Sequence, residues 1–188
     1  MPTATQVGQI LAQHVLALVQ SALLGNPLPA PQSLFATRVD LLQRCNAVRL
    51  AQLAVPTDRS MIDDTALRTA IEGGDLSAYS PKDVETIVLA LDAIDKALAD
   101  ADALLMSYNI PSDVQTPLLT RLASTVAIYY LQSFEGESKS TTDAYNDVIK
   151  QLTLHAAGKI SLIPPIVPET TADSESGAQI FSNPGRYD

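Results

Sequence analysis

The chain has 188 residues, 46% of them hydrophobic, which is enough for one domain with a core plus extensions and excludes global disorder. Its formal net charge is −9 and its sequence pI about 4.5, and no cluster of Lys and Arg stands in the sequence, so direct phosphate binding to DNA or RNA is a poor expectation. Aromatic residues are only 5% and Trp is absent, a composition that favours helices packed by alanine and aliphatic side chains.

Residues 5–24 read as a first helix, with Val7, Ile10, Leu11, Val15, Leu18, Val19 and Ala22 on one broad face. Gln6, Gln9, Gln13, His14 and Gln20 interrupt the apolar run and no basic stretch precedes it, so it reads neither as a signal peptide nor as a membrane span. Gly25-Asn26-Pro27 ends the helix, and Pro27, Pro29 and Pro31 favour an extended linker. Residues 1–32 are therefore expected to form a helical arm and linker that docks on the main body or on a neighbouring copy, with plain incorporation of the helix into one core as the equal alternative.

Residues 33–158 carry the signals of a helical domain. Thr37 followed by Asp40 is a capping-box pattern with Asp in place of Glu. The run from Arg38 to Leu53 predicts two short helices with a break near Cys45-Asn46. Asp64 or Thr65 is placed to cap a further short helix containing Ala66, Leu67 and Ala70, and Gly73-Gly74 ends it. Ser80-Pro81-Lys82-Asp83 then opens the longest element, at about 80–109. Val84, Ile87, Val88, Leu91, Ile94, Leu98, Ala101, Leu104, Leu105 and Tyr108 recur at helical spacing along it. Its other face carries Asp92, Asp95, Asp100 and Asp102. A helix of roughly 28 residues is about 42 Å long and needs partners along its whole apolar stripe. Asn109-Ile110-Pro111 breaks the chain, Thr116-Pro117 restarts it, Thr141 or Thr142 is placed to cap a last helix, and Gly158 stops that helix. The fold class expected is all-α, a bundle around the 80–109 helix.

Residues 159–188 differ in kind. Ile160, Leu162, Ile163, Ile166 and Val167 surround a Pro164-Pro165 pair. A polar run follows, and the chain closes on Ile180, Phe181 and Tyr187 among small and polar residues. Nothing there has helical spacing. A structureless stretch this long reads as an extended tail that orders against a partner or a neighbouring copy, adding a strand or hairpin on assembly.

No pattern of catalysis or metal binding stands out. His14 and His155 have no acid or cysteine at ligand spacing, and Cys45 has no Cys-x-x-Cys partner. Asp58, Asp63 and Asp64 fail the EF-hand pattern, since the sixth and twelfth positions counted from Asp58 hold Asp63 and Thr69. The aspartates of the long helix lack the Glu-x-x-His motif of bundle metal sites, which leaves a solvated acidic face as the plainer reading. No enzyme activity and no cofactor are expected.

Several blocks occur in a distinctive order. Phe35-Ala36-Thr37-Arg38-Val39-Asp40-Leu41-Leu42 is followed by Leu50-Ala51-Gln52-Leu53, by Thr57-Asp58, and by Ala97-Leu98-Ala99-Asp100-Ala101-Asp102-Ala103. Tyr108 and Pro111 come next, then Arg121-Leu122-Ala123 and Ala127-Ile128-Tyr129-Tyr130-Leu131. Tyr145, Asp147 and Ile149 lead to Ala157-Gly158-Lys159-Ile160-Ser161-Leu162, and Gln179-Ile180-Phe181-Ser182 closes the set. From about Ser33 to Ser182 the chain resembles the head-completion, or head–tail connector, proteins of Mu-like tailed phages. Residues 1–32 and the lengthened approach at residues 73–86 depart from that pattern.

The resemblance implies a non-catalytic virion protein of the neck, made in the host cytoplasm. It implies a ring of about twelve copies closed by cyclic symmetry. The ring's partners would be the portal protein, neighbouring copies of itself, and the next neck, stopper or tail-terminator protein. DNA would pass through without specific binding, and no membrane is involved. Under this reading the tail residues Ile160, Leu162, Ile163, Ile166, Val167, Ile180, Phe181 and Tyr187 are candidates for the portal or subunit interface. Asp92, Asp95, Asp100 and Asp102 are candidates for the channel wall or a subunit interface. The alternative class is a helical scaffolding or regulatory module outside the virion that binds a partner through an apolar helix face such as that of residues 5–24.

Overall fold

A computed structural model describes residues 4–29, 33–132 and 138–164. Among the described residues the structure is all-α: seven helices and no strand. They are α1 (Ala4–Leu23), α2 (Arg38–Arg44), α3 (Ala47–Ala54), α4 (Asp64–Ile71), α5 (Pro81–Ser107), α6 (Pro117–Gln132) and α7 (Lys139–Ala156).

The long helix α5 lies at the centre. Ser80 caps it, its hydroxyl accepting from the Asp83 amide at 3.2 Å, and Pro81 fills a first-turn position that needs no donor. After Pro81 the helix contains no further Gly or Pro, so nothing interrupts the ladder. Val84, Ile87, Ile94, Leu98 and Leu105 on its inner face are fully buried. Full burial of each such side chain contributes about 1.5–3 kcal/mol against exposure. The helix ends at Ser107, two residues before the expected limit, because Asn109 takes a left-handed φ of 64° and its amide bonds Met106 O at 3.0 Å. Ile110, 2% exposed, then turns back onto the core.

α6 packs along α5 on one side and α1 on another, while α3 and α4 also contact α5. α2 packs on α6, and α7 lies outermost, on α6. Only Val148 and Leu152 of α7 are buried, which fits its outer position. In α1, Val19 and Ala22 are buried, and Val15, Leu18 and Leu23 pack against the core. Gly25 closes α1 with φ 78°: its amide bonds Ala22 O and the Asn26 amide bonds Ser21 O, a pair that requires the left-handed residue.

The break between α2 and α3 falls at Cys45-Asn46, where the Asn46 side chain accepts from the Arg49 amide at 2.8 Å. Two helix starts differ from expectation. Asp63, rather than Asp64 or Thr65, caps α4, accepting from the Thr65 amide at 2.9 Å. α7 begins at Lys139 behind Ser138, which makes no side-chain cap bond, so neither Thr141 nor Thr142 is its cap. Thr142 is used differently, its hydroxyl directed to Ser138 O at 3.3 Å inside the first turn.

Candidate assembly surfaces

The four aspartates singled out on α5 do not share one free face. Asp102 is 4% exposed and points inward. It accepts from the Leu34 amide at 2.7 Å and from the Phe35 amide at 3.2 Å, so it holds the chain segment that leads into α2. Burial pushes its carboxyl above the usual range, and the two backbone donors offset that only in part. Further along the same segment, Arg38 meets Asp95 in a two-toothed pair, Nε to Oδ1 at 2.7 Å and Nη2 to Oδ2 at 2.5 Å. Asp92 pairs with the exposed Lys96 at 2.6 Å, four residues on. Asp100 is exposed, near Tyr130.

The tail residues also divide. Ile166, Val167, Ile180, Phe181 and Tyr187 lie outside the described residues. Leu162 is buried in the chain's own core at 6% exposure, Ile163 is half-buried, and Ile160 is exposed. The Leu162 amide and the Ile160 carbonyl oxygen each lie 3.4 Å from His155 Nδ1. Gly158, with φ 67°, makes the turn that brings this segment back: its amide bonds His155 O and the Lys159 amide bonds Leu154 O, both at 2.9 Å. His155 is thus a positioning residue for the segment that follows α7. His14 lines a cavity of about 170 Å³ between α1 and α5, together with Val15, Leu18, Leu28, Asp92 and Asp95. Cys45 is buried, and that burial pushes its thiol up.

Two features were not visible in the sequence. Tyr145 of α7 stacks on Tyr129 of α6 with ring centroids 4.0 Å apart and planes 12° apart. Burial, followed by a hydrogen bond with Tyr145, pushes the Tyr130 phenol up to about 12. The second feature is a basic groove. Arg44 from the end of α2, Arg121 from α6 and Lys150 from α7 line one open groove of about 510 Å³. Arg44 and Arg121 also line an adjoining depression with Asp40, Gln43 and Gln115. None of the three cations is in an ion pair among the described residues, whereas Arg38, Arg59, Arg68 and Lys96 are. No local Lys/Arg run announces the groove, since its members stand far apart in sequence and only the packing of α2, α6 and α7 gathers them.

Among the described residues, no three of His, Cys, Asp or Glu come together as a metal ion would need. No helix there is long and apolar enough to cross a membrane.

Fold and surfaces together define a small helical bundle with a central long helix and charged surfaces rather than an acidic exterior of one kind. The family model described as Bacteriophage Mu, Gp36 matches residues 35–181, and the chain belongs to that family. It is a phage structural or morphogenesis protein. The match begins at Phe35, where the chain is fastened to Asp102, and leaves α1 outside. No curated protein matches the chain.

Proposed function

We propose that the chain is a head-completion adaptor, one subunit of a ring that joins the portal to the next neck or tail-terminator protein and extends the DNA channel. The observation that carries this reading is the family match running through the helical body and on to Phe181. That span includes the polar run and the Ile180-Phe181 pair, which follow the last helix in sequence and whose composition suits a contact made on assembly. The excess of 21 acidic over 12 basic residues would repel DNA from a channel wall and let it slide, with Asp100 as the exposed α5 carboxylate for that duty. The role requires no catalysis and no cofactor. It places the protein in the virion neck, after assembly in the host cytoplasm.

The test is reconstitution with the portal protein, followed by native mass spectrometry. The full chain should form a closed ring on the portal, and a chain stopped after Pro164 should not. Helix content measured by circular dichroism separates loss of binding from loss of fold. A full-length chain that ignores the portal would overturn the adaptor reading.

A scaffolding module absent from finished particles is the second reading. Leu16, 57% exposed on a helix outside the family match, favours it by offering an apolar contact to a partner.

A further inference from the structure

We infer that the basic groove between α2, α6 and α7 is a docking site for the acidic run of the chain's own C-terminal tail, Glu169 to Glu175. This inference stands apart from the ring assignment, because it concerns a contact inside one chain.

Charge is the first argument. In a chain of net charge −9, Arg44, Arg121 and Lys150 are gathered into one groove and left without carboxylate partners among the described residues. Asp147 on α7 is the one carboxylate that lines this groove, and Asp40 lines the adjoining depression. Three cations against one carboxylate leave the main groove with an excess of two positive charges. The tail offers the complement: Glu169, Asp173 and Glu175 lie in a stretch with no Lys or Arg between Pro165 and Gly185.

Reach is the second argument. The described chain leaves α7 and turns back at Gly158, and the Leu162 amide is fastened on His155. Leu154, the residue before His155, lines the groove. The tail is therefore released at the same turn of α7 that closes one end of the groove. Four residues lie between Pro164 and Glu169, a span of at most about 18 Å when extended. The groove follows α7 from Ala144 to Leu154, about 15 Å of helix. An extended run from Glu169 to Glu175 covers about 20 Å. The run is long enough to span the groove along α7. A tail attached this close sees the groove at an effective concentration of the order of millimolar, which favours a contact that exposed ion pairs between separate molecules would leave weak.

Zero-length carbodiimide cross-linking of the full chain, followed by peptide mass spectrometry, tests this. Lys150 should join Glu169, Asp173 or Glu175 far more often than the exposed Lys82 or Lys139 does. In a mixture of ¹⁵N-labelled and unlabelled protein those cross-links should be within one isotope. The double variant Arg44→Glu with Arg121→Glu should reduce the Lys150 yield roughly tenfold, since like charges then face the tail. Adding Glu169→Arg and Asp173→Arg to that variant, with Glu175 kept as the cross-linking carboxylate, should restore it. Equal yields at Lys150 and the control lysines would overturn the inference. So would mixed-isotope cross-links, which would assign the groove to a neighbouring copy. Retardation of duplex DNA by the wild type and not by the double variant would assign it to nucleic acid instead.

Discussion

The segments on either side of the helical body are held in unlike ways. The lead-in, residues 33–38, is bound by a buried carboxylate, by a two-toothed ion pair, and by the Gln115 side-chain amide on Leu34 O at 3.1 Å. Phe35, Ala36 and Arg38 are all buried. The exit, residues 159–164, is held by the Lys159 amide on Leu154 O, by one buried leucine and by a 3.4 Å imidazole contact. Both segments flank the same bundle, yet one is built into it and the other rests on it. The difference teaches where the molecule can exchange partners: a lightly held exit can leave at little cost, while the lead-in fixes the register of α2 against α5.

Breaking the lead-in should have the largest effect. Asp102→Ala leaves the Leu34 and Phe35 amides without their acceptor and should cost about 3 kcal/mol in denaturant unfolding. The pH dependence sharpens this. Asp102's folded-state carboxyl titrates above its unfolded value, so its contribution is fully present below the unfolded value and is lost as pH rises through the folded one. The stability gap between wild type and Asp102→Ala should therefore widen as pH falls from neutral toward about 4. A gap that narrows over that range would mean that the two backbone donors outweigh burial.

Next comes Asp95→Ala, which leaves Arg38 buried without its partner. Removing one member of a fully buried pair costs about 3–5 kcal/mol, but Asp95's side chain is 28% exposed and water takes part of the load. About 2 kcal/mol is expected, from the same unfolding measurement.

The smallest effect should come from the exit. Leu162→Ala removes a side chain only 6% exposed, and a core leucine would cost about 2–5 kcal/mol. Here the loss is capped by the free energy of detaching residues 159–164, so about 1 kcal/mol is expected. Amide exchange should speed up in the exit alone. A cost as large as that of Asp102→Ala would erase the contrast between the two segments.

Much of the fold was legible because it is written locally. Thr37, Asn46, Ser80 and Thr116 each cap the helix start that their side chains suggest, and Gly25, Asn109 and Gly158 each take the left-handed turn that ends one. The α4 start was ambiguous because Asp63, Asp64 and Thr65 are all competent caps, and only backbone geometry selects among them. The surfaces were less legible. Period alone placed Asp95 and Asp102 on a polar face, but their partners lie 57 to 68 residues away in sequence. Leu162 looked like tail because the turn at Gly158 that returns it to the core leaves no hydrophobic period behind it. The basic groove joins residues from three helices, and no window of sequence contains it.

The most direct measurement for the adaptor role is electron cryo-microscopy of phage particles that carry this protein, with a density tag on its N-terminus. A ring of tag density between portal and tail is the predicted result. Intact, infectious particles without the protein, or tag density elsewhere on the virion, would contradict it.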